Sequence, residues 1–204
     1  MKRAAAIFCL CLTALAGCSP PAVPDVTYFR LPSPAPLPHA AKPLSLLPLE
    51  IDVFGAEGIY AEQALIYAVD PQGSALRTYH YQLWGDPPTH ALQQRLVNML
   101  RDAGIATLVT DRLPASTPAL RVQGTIRRYE RLKRDQAYSV AVALVIRVEQ
   151  GRGEPLIEQE YSGEADAADG KMESTVTAFG AALDKVFGKF YADLVALEGE
   201  AHAG

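Results

Sequence analysis

Residues 120–150, LRVQGTIRRYERLKRDQAYSVAVALVIRVEQ, hold the most regular pattern in the chain. Two β-prone runs, Leu120–Lys133 and Gln136–Gln150, flank Arg134-Asp135 and read together as one long hairpin. In the second run Tyr138, Val140, Val142, Leu144, Ile146 and Val148 alternate at the strand period and point one way. The opposite face carries Ser139, Ala141, Ala143 and Val145 before turning charged at Arg147 and Glu149. A sheet with a branched apolar face needs a second layer to cover it. The small residues of the other face are expected to let a helix approach closely.

Toward the C-terminus, Leu156–Gly163 reads as a further strand and Lys171–Leu197 as a long helix. Val176, Phe179, Leu183, Val186, Phe187 and Phe190 form its apolar stripe, with Met172 and Leu194 extending it. Gly180 and Gly188 each cost about 1 kcal/mol inside a helix, so close packing is expected at both. Asp166-Ala-Ala-Asp169-Gly170 with Glu173 lacks the alternating oxygen ligands of a calcium loop. It reads instead as an acidic turn that suits the helix N-terminus.

Toward the N-terminus, Leu47–Phe54 is an expected strand, followed by a loop bearing Gly55 and Gly58. Ala64–Val69 and Leu76–Leu83 flank the turn Asp70-Pro71-Gln72-Gly73 and form a second hairpin. Asp86 is placed to cap a helix whose first turn accepts Pro87. Leu92, Leu96, Met99, Leu100 and Ala103 share one face of that helix, and Gly104 ends it. Leu108–Thr110 is a short strand. The fold class is α/β in the broad sense: an α+β sandwich, one domain, with a mostly antiparallel or mixed sheet carrying two main helices.

The first residues read as a targeting signal. Lys2 and Arg3 precede the apolar run Ala4–Leu15. Twelve helical residues span about 18 Å, short of a hydrocarbon core of about 30 Å. Leu15-Ala16-Gly17-Cys18 resembles the lipobox read by the lipoprotein signal peptidase, which cleaves between Gly17 and Cys18 once the thiol is alkylated. Acyl chains such as palmitate would then anchor the chain at Cys18, each buried CH₂ contributing about 0.8 kcal/mol. Ser19, where an aspartate would retain the protein in the inner membrane, points to the periplasmic face of the outer membrane. Cys9 and Cys11 leave with the leader, so the folded part has no disulfide and no thiolate metal ligand.

Nine of the fifteen prolines lie between Pro20 and Pro48. Within them Val26–Leu31 is a β-prone island expected to dock as a strand, since Tyr28-Phe29-x-Leu31 would be a sticky liability in a free tether. The organisation is then leader 1–17, lipidated cysteine and tether 18–25, domain 26–197 and disordered tail 198–204. Seven residues of tether, Ser19–Asp25, reach about 22 Å.

The formal charge is −4, and loss of Lys2 and Arg3 makes the remainder more acidic. That balance excludes a dedicated nucleic-acid binder, which needs a basic stripe. No H-E-x-x-H, G-x-S-x-G, Walker A or G-x-G-x-x-G motif occurs. The chain reads as non-enzymatic, without metal or cofactor; a periplasmic hydrolase would have to use His80 or His90. Two clusters are candidates for partner or lipid contact. Tyr79, Tyr81 and Trp84 form an aromatic set that otherwise packs in the core. Arg127, Arg128 and Arg131, with Lys133 and Arg134, form a basic cluster that otherwise solvates a strand edge.

The order of features, from the lipobox through Tyr28-Phe29-x-Leu31 and Leu65-Ile66-Tyr67 to Tyr79-x-Tyr81-x-x-Trp84-x-Asp86-Pro87-Pro88 and Leu92-x-x-x-Leu96, resembles the PqiC-like ABC-type transport auxiliary lipoproteins. The resemblance implies a non-catalytic outer-membrane lipoprotein serving an MCE-type ABC transport system that moves phospholipid or other apolar molecules between the two membranes. Its implied partner is an MCE-domain periplasmic protein, with homo-oligomerisation left open. The alternative is a lipoprotein of lipopolysaccharide assembly or cell-wall-synthase activation. On the lipobox reading, Cys18→Ala leaves the chain uncut in the inner membrane. Membrane fractionation and mass spectrometry check this, and processed protein in the outer membrane would overturn it.

Overall fold

A computed structural model of the chain describes residues 23–40, 42–43, 47–70, 72–151 and 154–201. The leader, Gly17 and Cys18 lie outside the described residues. The strands are β1 (Thr27–Phe29), β2 (Leu49–Ile51), β3 (Gly55–Ala56), β4 (Ala64–Ala68), β5 (Leu76–Trp84), β6 (Val109–Thr110), β7 (Leu120–Arg134), β8 (Ala137–Gln150) and β9 (Ile157–Ala167). The helices are α1 (Pro88–Asp102) and α2 (Met172–Ala201), and a 3₁₀ turn spans Gly58–Ala61.

The β7–β8 hairpin is the spine. Its register runs from Leu120 opposite Gln150 to Arg134 opposite Ala137, with one bulge between Ile126 and Arg128. Asp135 turns the chain in the left-handed region at φ 55°, which a short polar side chain tolerates. On its other edge β7 pairs in parallel with β2 at Leu120–Val122, with β3 at Thr125–Ile126 and with β4 at Arg131. Beyond these lie β6 against β2, and β5 then β1 against β4. Among the described residues all nine strands form one mixed sheet, covered by two helices in a single domain.

The expected strand over Leu47–Phe54 is interrupted because Phe54 turns in against Gly124, where a Cβ would come within 2.5 Å of the ring. The helix cap also differs. Pro88 is the first helical residue and Pro87 occupies the cap position without a side-chain hydrogen bond. Asp86 therefore sits one residue too early to reach the free N–H groups. Gly104, at φ 65°, ends the segment as expected. The last strand runs on through Ala167, since Ser139 pairs with Asp166. Asp169 alone serves the turn, its Oδ1 accepting from the Lys171 amide at 2.9 Å.

The helix lies on the opposite face from the one expected. In β9 Gly163 stands opposite Val142, so both share a face. A Cβ on Gly163 would lie 2.8 Å from the Ala182 carbonyl and 3.2 Å from Val186. So α2 packs on the branched face of β8, and Val140, Val142, Leu144, Phe179 and Phe187 are buried together. Ala141 on the other face joins Ala68 and Leu132 in a small second cluster. There the β4–β5 hairpin curls over, its Gly73 lying against the Arg128 and Glu130 side chains. The small residues admit a hairpin rather than a helix. At the outer edge of β9, Lys189 and Lys185 donate to the Ser162 and Glu164 carbonyls at 2.8 and 2.7 Å, which blunts that edge.

The two helix glycines also separate. Gly180 is buried against Pro32, as close packing requires, whereas a Cβ on Gly188 meets nothing within 4 Å. The helix reaches Ala201, past the expected start of a tail at residue 198; residues 202–204 lie outside the described part. Urea unfolding is expected to separate two substitutions. Gly163→Ala destabilises by about 1–3 kcal/mol through overlap with α2. Gly188→Ala stabilises by about 1 kcal/mol through helix propensity.

Candidate functional site

The proline-rich segment after β1 forms an arm across the two helices. The β-prone island docks as β1, parallel to β5, with Thr27 opposite Gln82 and Phe29 opposite Trp84. Beyond it Arg95 on α1 donates to the Pro32 carbonyl at 2.6 Å and pairs with Asp184 on α2 at 2.6 Å. The Ala35 amide donates to the other Asp184 oxygen at 3.2 Å. Farther along, the Tyr191 hydroxyl donates to Pro38 O at 2.7 Å and the Ala40 amide to Ala103 O at 2.8 Å. Proline explains the form of the arm, because it lacks the N–H for a sheet ladder and must find side-chain partners instead.

Between the arm and the first turns of α1 lies an open cleft of about 290 Å³. Trp84, Tyr129 and Arg95 line it from within, while Arg30 and Asp86 stand exposed on its margin. Trp84 is 4 % exposed and sits among Tyr129 and Phe179, with ring centroids at 5.4 and 5.3 Å. Burial raises the Tyr129 hydroxyl far above its ordinary pKa, so it stays protonated.

The candidate contact residues do not form one patch. Trp84 is core. Tyr79 is half-buried, stacked on Tyr67 at 4.6 Å, and its hydroxyl accepts from Arg131 at 2.8 Å. Arg131 is buried; its guanidinium lies 3.9 Å from the Tyr138 ring centre and donates to Gly170 O at 2.6 Å. Arg127, the residue within the bulge, is exposed and paired with Glu57 at 2.9 Å. Arg128 pairs at 2.7 Å with Glu130, a buried carboxylate that also accepts from Tyr60. Tyr81 is half-buried with His80 edge-on to its ring at 6.4 Å. The alternation of strand faces separates these side chains, which sequence adjacency alone would have grouped.

Arg95 and Asp184, which hold the arm, escaped the sequence reading. One signal was present: Arg95 falls between Leu92 and Leu96 on the apolar stripe of α1, where a charge needs a buried partner. His80 and His90 are both exposed, on β5 and in the first turn of α1, and neither has a carboxylate or hydroxyl partner among the described residues. No group of three or more His, Cys, Asp or Glu side chains among them could hold a metal ion. No helix among them is long and apolar enough to cross a membrane.

A single α+β domain closed by an N-terminal arm, with an open cleft beside that arm, is the class of protein this geometry defines. The family model of the ABC-type transport auxiliary lipoprotein component matches residues 29–189, and the chain belongs to that family. The resemblance carried by Tyr28-Phe29 and the Trp84-to-Leu96 stretch is thereby borne out. Two solved structures share the fold. Protein XCC0632 from Xanthomonas campestris, of the DUF330 family, superposes with a TM-score of 0.73 at 16 % identity, over 87 % of this chain and 100 % of that one. Protein CT253 from Chlamydia trachomatis does so with a TM-score of 0.51 at 12 % identity, over 78 % and 100 %. No curated protein matches the sequence.

Because Trp84 packs with Tyr129 and Phe179, Trp84→Ala is expected to cost about 3–5 kcal/mol of stability by thermal and urea unfolding. A variant of native stability that has lost partner binding would show instead that Trp84 is a contact residue.

Proposed function

We propose that this chain is a non-catalytic lipoprotein of the outer membrane, facing the periplasm, and an auxiliary component of an MCE-type ABC transport system. That system would move phospholipid or other apolar molecules between the membranes and so maintain membrane integrity. The observation that carries the reading is the family match over residues 29–189, nearly all of the folded part. The family's description as an auxiliary transport component supports a non-catalytic role.

The physical logic is localisation. A lipid anchor at Cys18 holds the domain at one membrane and raises its effective concentration for a partner that spans the periplasm. The tether proposed is Ser19–Asp25, seven residues that reach about 22 Å. The partner proposed is the MCE-domain protein of the system. Of the candidate contacts, Arg127, Arg128 and Tyr81 are available at the surface. Tyr79, Trp84 and Arg131 would act by shaping that surface from beneath.

Crosslinking in intact membranes followed by affinity purification tests the reading. The expected product is a covalent complex with an MCE-domain protein, diminished several-fold by Arg127→Glu. Repeated recovery of no MCE-domain protein would sink it.

A further inference from the structure

Docking of β1 covers only one side of the Tyr28-Phe29-x-Leu31 segment. Phe29 and Leu31 pack against the core, whereas Tyr28 stays 61 % exposed, with Val26 at 46 % and Val23 at 78 %. Tyr28 is the single aromatic among the exposed large hydrophobic residues of the described chain. The others, Val53, Val69, Leu108, Leu156 and Val195, are aliphatic and spread singly along the sequence. Strand β1 ends the sheet on its side, paired only with β5. In that parallel register Tyr28 stands opposite Leu83, itself only half-buried. Arg30 follows Tyr28 at the strand period, and its Cγ lies 3.4 Å from where a Cβ on Gly85 would be. Val26, Tyr28 and Leu83 thus make an apolar strip on the face that Phe29 turns away from, with the exposed Arg30 at its end. The acidic neighbour, Asp25, alternates to the other side with Thr27.

We propose that this strip rests on the surface of the bilayer that holds Cys18, so that the anchored domain lies with β1 against the headgroups. The path of the chain names the occupant. Only four residues, Ser19–Ala22, separate Cys18 from Val23. At about 3.1 Å per residue, Val23 stays within about 16 Å of the anchored cysteine and Tyr28 within about 31 Å. A surface held that close meets the strip at high effective concentration, so a contact too weak to capture free vesicles is enough. The side chains suit that boundary. A tyrosine ring sits at the apolar edge with its hydroxyl among the headgroups, and an arginine reaches phosphate while its stem stays on apolar surface. A stable protein interface recruits about 20–30 residues a side, far more than this strip offers. The inference rests on the lipidation of Cys18 proposed above and deepens it: the anchor sets an orientation as well as a location.

The mature lipoprotein is reconstituted into vesicles of phosphatidylethanolamine and phosphatidylglycerol that carry a head-group nitroxide lipid. Val26→Cys, Val69→Cys and Leu108→Cys are each labelled with a fluorophore; all three positions are exposed, and the lipidated Cys18 has no free thiol to compete. The expected result is several-fold stronger quenching at position 26 than at positions 69 and 108. Adding Val23→Ser and Tyr28→Ser should bring position 26 down to the level of the other two, with flotation and thermal midpoint unchanged. Equal quenching at the three positions would overturn the proposal, since it would mark a domain tumbling on its tether. Quenching at position 26 that survives both serine substitutions would overturn it as well. So would a label at position 26 that is shielded only when copies crowd on the vesicle, which would mark self-association. Mass spectrometry of the same samples separates the two readings. Acylated protein with an unquenched position 26 sinks the orientation alone, whereas protein without acyl chains sinks the anchor and the orientation together.

Discussion

Strand β7 is paired along the whole of one edge and at intervals along the other, and the rest of the molecule is arranged by that constraint. One edge is committed to β8 through an antiparallel ladder. The other is divided among β2, β3 and β4, each contributing only a few residues in parallel. Short strands bury little and are marginal alone, so these segments depend on the long strand beside them for register. The arrangement also fixes the curl of the sheet. The β4 end bends toward the alanine face of β8 while α2 fills the branched face, so both faces of the spine are covered without a second sheet.

The arm depends on a second, electrostatic constraint. Arg95 and Asp184 belong to different helices, and their ion pair is sheltered, with side-chain exposures of 4 % and 24 %. Such a pair is costly to desolvate unless its remaining hydrogen-bonding positions are used. Here the arm uses two of them, since Pro32 O accepts from Arg95 Nη1 and the Ala35 amide donates to Asp184, while Arg95 Nε stays buried without a partner among the described residues. The arm needs the ion pair for partners that prolines cannot supply, and the ion pair gains two hydrogen bonds from the arm. Gly180 allows the contact, because any side chain there would strike Pro32.

The charges of β7 are mostly paired or stacked. The basic run on β7 resolves into an exposed pair, a buried network and a stacked guanidinium, three roles set by strand alternation and one bulge. The arm locked to the helices and the open cleft beside it lie together at the N-terminal end of the described chain.

The sequence by itself determined the elements and their order. Alternation over 120–150 identified the hairpin, the periodic stripes identified both helices, and Tyr28-Phe29-x-Leu31 identified a strand inside a proline-rich stretch. These are local signals, carried by side-chain period and turn chemistry. Family membership was legible for the same reason, since it rests on motifs read in order along the chain. Which face of β8 receives α2 was not legible, because alternation defines two faces but does not say what covers each. That Gly163 rather than Ala141 admits the helix, that Gly188 packs against nothing, and that Arg95 meets Asp184 are facts about residues far apart in sequence. Only tertiary structure decides them, because burial and pairing energies depend on what arrives from elsewhere in the chain.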